Sequence, residues 1–256
     1  MPSSSSSDRG LLARVDALVE LAADRHGLAL LPGGRLAAAE ARVAARATGI
    51  RTPGVEGRAA PRGAGPGPAA GPGAVPGPSA RGAALARRDA VELLRAVAEG
   101  VGLLRVRGDR LEATSLRHAW AQIDETLRAG LVYAAWCHRV PWPVFLHGGP
   151  GVEALVGGRL WVLRLLLGLP AGVEVGLQGL VETVANGLEL DLDDWLPRAV
   201  AAAFLDPLVA LGVADIRPPP PHPGAGLRLG PRAATVIGSA LVAAGEEVSL
   251  ASTPAN

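Results

Sequence analysis

The sequence predicts a mainly α fold with small β-hairpins, built as two modules of one plan joined by a long helix rich in aromatic residues. One order of elements occurs twice: a short β segment, a helix, a second helix ending in Gly, a β arm, a turn and a β arm. The first copy runs from Gly27-Leu28-Ala29-Leu30-Leu31 to the stretch Gly102–Thr114, and the second from Val173-Glu174-Val175 to the stretch Gly212–Gly230. Between the β segments the apolar residues recur at helical spacing. Most of the aromatic residues fall between Trp120 and Trp161, which predicts a central packing layer joining the modules.

Taken in order, Leu11, Leu12, Val15, Leu18, Val19 and Ala22 share one face of a helix for which Ser7 or Asp8 can serve as cap. The apolar run Leu28 to Leu31, closed by Pro32-Gly33-Gly34, reads as a strand and turn, and the Ala-rich stretch Leu36 to Ala47 as a second helix. From Arg51 to Gly82 Pro and Gly leave almost nothing to bury, so this stretch reads as a disordered tether. It falls between the second and third helices of the first module, as an expanded loop (insert 51–84) whose closure costs little entropy. The competing reading is a linker between unrelated domains. Leu85 to Glu99 resumes helical spacing and is expected to stop at Gly100. A hairpin follows, with arms Leu103 to Val106 and Leu111 to Ala113, and Thr114 or Ser115 caps one long helix from Leu116 to Arg139.

Val152 to Val156 and Leu160 to Leu169 read as helices, Val173 to Val175 as a minimal strand, and Leu177 to Ala185 as a helix stopped by Asn186-Gly187. Asp193 or Asp194 caps a helix from Trp195 that Asp206-Pro207 kinks or restarts. Arms Val213 to Ile216 and Leu227 to Leu229 flank a Pro-rich turn, and Pro231 opens a last helix. The expected division is a tail 1–9, a first module 10–115, a connector 116–151, a second module 152–245 and a frayed tail 246–256.

Composition excludes several classes. A single cysteine, Cys137, rules out a disulfide framework and a cysteine-rich zinc module, and fits a reducing cytoplasm. The chain has no Lys, so it has neither a P-loop lysine nor a Schiff-base lysine. Its 25 basic residues are therefore all Arg, and with net charge +1 no global field draws it to nucleic acid or an anionic membrane. The most apolar stretch, Leu160 to Leu169, is half of the roughly 20 residues a membrane span needs and contains Arg164.

Phe145-Leu146-His147-Gly148-Gly149-Pro150-Gly151 resembles the oxyanion-hole segment of α/β-hydrolases of the proline iminopeptidase type. The chain offers no Gly-x-Ser-x-Gly elbow to go with it, so the expected role is a Gly-rich turn. His118, Cys137, His138 and His147 make no metal site, since the neighbours Cys137 and His138 face different sides of a helix. Asp191, Asp193 and Asp194 are explained by a helix N-terminus. No cofactor is expected.

The element order across most of residues 10 to 245 resembles that of uncharacterised bacterial proteins with tandem winged helices. That resemblance implies a third helix able to enter the major groove and a wing able to touch phosphate. Here the candidates are Arg87, Arg88 and Arg95 on the third helix of the first module and Arg105, Arg107 and Arg110 on its wing, offset by Asp89, Glu92, Glu99 and Asp109. Two or three phosphate contacts would give weak, salt-sensitive binding to duplex DNA. The third helix of the second module opens on Asp193-Asp194 and continues almost wholly apolar to Phe204, which fits a buried helix or a protein contact. The expected function is a non-enzymatic interaction or scaffold protein with a protein partner; the alternative is a DNA-binding regulator using those six arginines.

Overall fold

The computed structural model describes residues 10–50, 80–217 and 224–245. Helix α1 (Leu11–Asp24) buries Leu11, Val15, Leu18, Val19 and Ala22, the stripe a helix of this period presents to one side. The expected caps Ser7 and Asp8 lie outside the described residues, and Gly10 occupies the cap position without a side-chain bond. Strand β1 (Leu28–Ala29) and an isolated bridge from Leu30 to Leu36 lead into α2 (Ala38–Ala47). The expected insert lies outside the described residues as far as 79, but its last five residues belong to α3 (Ala80–Val101), which starts two residues after Pro78 and carries Gly82 among Ala, Arg and Leu in its opening turns.

The stop of α3 also differs from expectation. The helix continues through Gly100, and Gly102 takes the left-handed conformation at φ 86°. Gly100 matters for packing instead. A Cβ there would come within 2.7 Å of the Arg139 Cβ, so its missing side chain lets another helix cross closely. Strands β2 (Leu104–Arg107) and β3 (Arg110–Ala113) form the hairpin, and β3 lies between β1 and β2 in an antiparallel sheet with Leu28 opposite Leu111 and Leu104 opposite Ala113.

The long helix expected over Leu116 to Arg139 is two helices, α4 (Leu116–Trp120) and α5 (Glu125–Arg139). The break has a local cause. Asp124 caps α5, its carboxylate accepting from the N–H groups of Thr126 at 2.8 Å and Leu127 at 3.3 Å. Trp120 is held at the end of α4 by Asp16 of α1, to which its indole N–H donates at 2.8 Å.

Short helices α6 (Trp142–Phe145), α7 (Pro150–Gly157) and α8 (Arg159–Leu167) follow. The plan then repeats: strand β4 (Glu174–Gly176), helix α9 (Leu177–Gly187), helix α10 (Trp195–Val200), a π turn over Ala201–Leu205, helix α11 (Asp206–Ala210), strands β5 (Ala214–Arg217) and β6 (Gly226–Leu229), and helix α12 (Ala233–Ala243). The kink expected at Asp206-Pro207 is this π turn, and the Pro-rich turn between β5 and β6 lies largely outside the described residues. In the second sheet β6 takes the middle place, as β3 does in the first. The chain is thus mainly helical with two small three-stranded antiparallel sheets.

Helices α5 and α12, each following its half's hairpin, share the most extensive helix contact in the protein. They run parallel, with Glu125 meeting Arg232 at 3.1 Å near their starts and His138 meeting the Ala240 carbonyl near their ends. The aromatic layer sits beside this seam, Trp136 against Trp142 at 5.5 Å and Trp142 edge-on to Phe145 at 6.4 Å. No helix among the described residues is long and apolar enough to cross a membrane.

Candidate functional site

Two of the arginines of α3, Arg88 and Arg95, are turned back onto the neighbouring turn and their own helix. Arg88 donates to the Leu36 carbonyl at 3.0 Å. Arg95 lies between Glu92 at 3.0 Å and Glu99 at 2.6 Å and also reaches the Gly34 carbonyl. Glu92 is buried and accepts the Leu36 N–H at 2.8 Å, and Arg35 closes on Asp89 at 2.7 Å. Together these bonds clamp the 33–36 turn, and with it the start of α2, onto α3. Of the acids that appeared in the sequence to cancel the arginines, Glu92 and Glu99 are partners of Arg95, while Asp89 pairs with Arg35 instead. Arg87 is exposed on the same helix.

On the hairpin, Arg110 donates to the carbonyls of Gly27 at 2.7 Å and Arg25 at 3.3 Å, satisfying acceptors at the C-terminal end of α1. Arg107 is highly exposed, with Glu112 3.8 Å away, and Arg105 is exposed with no ion-pair partner among the described residues. Arg105 and Arg107 are two residues apart in β2 and so share a face. The structure therefore divides the candidates into two groups, one on α3 and one on the hairpin, and leaves Arg105 and Arg107 as the hairpin pair facing solvent without a backbone acceptor.

The corresponding helical segment of the second half is interior. Leu196, Ala199, Val200, Ala203, Phe204, Leu205 and Leu208 are buried. Its backbone is gripped from α5: the Asp206 N–H reaches back five residues to the Ala201 carbonyl, Pro207 has no N–H to continue that pattern to Ala202, and the Ala202 carbonyl instead accepts from the Trp136 indole at 3.2 Å. The Tyr133 hydroxyl donates to the Phe204 carbonyl at 3.1 Å. Burial pushes the Asp206 carboxyl above its ordinary range.

A cleft of about 690 Å³ lies between α3 and the corner where α5 meets α6. One wall is the clamped set Arg35, Asp89, Glu92, Arg95 and Glu99; the other is Arg139, Pro141, Val144, Phe145 and His147. Arg139 is exposed, with no counter-ion among the described residues, and Val144 is 71% exposed. In the sequence this second wall showed only as the Pro-Trp-Pro corner and the Phe145–Gly151 segment, and nothing pointed to Arg139 or Val144, because the cleft is made by a helix crossing that no local pattern records.

His147, Gly148 and Gly149, the segment similar to a hydrolase oxyanion loop, form a turn of three positive φ angles (60°, 56° and 146°) before α7, at the rim of this cleft. Neither sheet is parallel, so no strand-to-helix elbow of the hydrolase kind faces it. Among the described residues no three His, Cys, Asp or Glu side chains are placed to hold a metal ion. Cys137 is buried, which pushes its thiol up to about 12, and burial likewise raises the neighbouring Tyr133 hydroxyl. A thiol so held is not a nucleophile at neutral pH. His138 is structural: Nε2 lies 2.7 Å from the Ala240 carbonyl and Nδ1 accepts from the Arg159 Nε at 3.0 Å.

No family model, no curated protein and no solved structure matches this chain.

Proposed function

We propose that this chain is a non-enzymatic interaction or scaffold protein made of two winged-helix-like modules, and that it acts by binding a protein. What supports the winged-helix reading is the shared order of helix, strand, two helices and hairpin, with the first strand of each half paired to the last arm of its hairpin. The observation that carries the function is the fate of the two helices that would enter a DNA groove. In the first half the arginines Arg88 and Arg95 close onto carbonyls and carboxylates of their own module. In the second the helix is buried under Trp136 and Tyr133.

The DNA-binding alternative is left with Arg87 on α3 and the pair Arg105 and Arg107 on the hairpin, all three exposed. Two or three phosphate contacts predict an affinity that falls about ten- to fortyfold between 50 and 200 mM salt. Titration of the full chain with random duplex DNA at those two salt concentrations tests the reading. The proposal expects no saturable binding at either. Binding that shows this salt dependence and disappears when Arg105, Arg107 and Arg110 are changed to Ala would replace it with the regulator reading. Cross-linking in native extract, with the same triple variant as control, is expected to recover a partner protein that persists without those arginines.

A further inference from the structure

We infer that the cleft between α3 and the α5–α6 corner is the docking groove for a short acidic peptide segment of the partner protein, whose apolar side chain rests on Val144 and Phe145 and whose carboxylate pairs with Arg139. The inference rests on the protein-binding reading above and names the chemistry of what is bound.

Three features set that chemistry. First, each carboxylate of the α3 wall is already held by a guanidinium, Asp89 by Arg35 at 2.7 Å and both Glu92 and Glu99 by Arg95, so that wall offers no free cation and carries one excess negative charge. Arg139 faces the cleft without a counter-ion among the described residues, which makes its end the place where an anion would be favoured. A guanidinium takes a carboxylate in a two-pronged geometry. Second, Val144 is 71% exposed beside the half-buried Phe145, an apolar step in the same wall as Arg139. An apolar side chain covering it would remove that surface from solvent. Third, the α3 wall runs from Asp89 to Gly100, about 16 Å at the helical rise, which matches roughly five residues of extended chain.

Arg139 is also a placed residue. It leaves the last turn of α5 where Gly100 of α3 has no side chain, with 2.7 Å between the Arg139 Cβ and the position a Gly100 Cβ would take. A larger residue at 100 would displace it.

The test uses the full chain and a pool of fluorescein-labelled hexapeptides, each with one Leu or Phe and one Asp or Glu at every relative spacing on an Ala, Gly and Ser background, read by fluorescence polarisation. A subset is expected to bind in the micromolar range and to lose affinity about tenfold in Arg139→Gln, in Val144→Asn, and when the peptide's acid is changed to its amide. Both variants alter exposed side chains, and their unfolding midpoints should match that of the parent. The assignment is overturned if no peptide binds, or if binding is unchanged in both variants. If a cross-linked partner is recovered equally by parent, Arg139→Gln and Val144→Asn, the groove is wrong while the interaction reading stands. If no partner is recovered and duplex DNA binds with the salt dependence given above, both fall.

Discussion

Gly130 of α5 and Ser239 of α12 meet at the centre of the seam between the two halves, so closely that a Cβ added to Gly130 would fall 2.8 Å from the Ser239 Cβ. Ser239 cannot swing away, because its hydroxyl is bonded to the Thr235 carbonyl at 2.9 Å and its Cβ is fixed to the helix. Gly130→Ala gains up to about 1 kcal/mol of helix propensity but forces the parallel helices apart. The expected net effect is a loss of about 1–3 kcal/mol, measured by urea unfolding. Ser239→Gly in the same chain should recover most of the loss, and equal losses in the two backgrounds would show that the crossing is not the cause.

A second expectation concerns Glu92, which is buried and holds both the Leu36 N–H and Arg95. Glu92→Ala leaves a buried N–H without an acceptor and Arg95 with Glu99 as its one remaining carboxylate beside the Gly34 carbonyl. A cost of about 2–3 kcal/mol is expected. Hydrogen exchange should report it locally, with the Leu36 amide losing more protection than amides of α12; a uniform loss across both halves would argue against the clamp.

Much of this architecture could be read from the chain. The repeated order of strands and helices survives because periodicity and turn residues are local, and Gly212 takes its left-handed place at φ 68° where the second hairpin begins. Gly100 misled because the sequence offered two glycines, and the one needed for positive φ is Gly102, while Gly100 answers to Arg139 on a helix nearly forty residues away. The break before α5 was hidden by the unbroken helical spacing of Leu116 to Arg139, in which Asp124 reads as an ordinary exposed acid. The six candidate arginines were visible as charge, but whether Arg95 faces phosphate or Gly34 depends on where the 33–36 turn lands.

Acid should loosen the seam through His138. Burial lowers its pKa below the ordinary histidine value, with Arg159 and Arg139 acting in the same direction and the bond to the Ala240 carbonyl opposing them. The folded state therefore prefers the neutral ring, which can accept from Arg159 at Nδ1 while its Nε2–H donates to Ala240. With the folded pKa below the unfolded one, this contribution is complete above the unfolded value near 6.5 and is lost as pH falls through the folded value. Stability measured between pH 7 and pH 5 should drop more steeply for the parent than for His138→Gln. Parallel curves would remove His138 from the account.

The π turn supplies the last test, because it makes a tryptophan and a proline on different halves depend on each other. Pro207 lacks the N–H that would meet the Ala202 carbonyl, and the Trp136 indole supplies the donor instead. Trp136→Phe keeps a ring against Trp142 but leaves that part-buried carbonyl without its indole donor. Its expected cost is about 1–3 kcal/mol, plus a packing loss from the smaller ring. In a Pro207→Ala background the chain regains an N–H within reach of the same carbonyl, so Trp136→Phe should cost less there. The double-mutant cycle should give a coupling of about 0.5–3 kcal/mol in that direction. A coupling of zero would mean that the indole bond is incidental, and that the two halves are joined across α5 by packing alone.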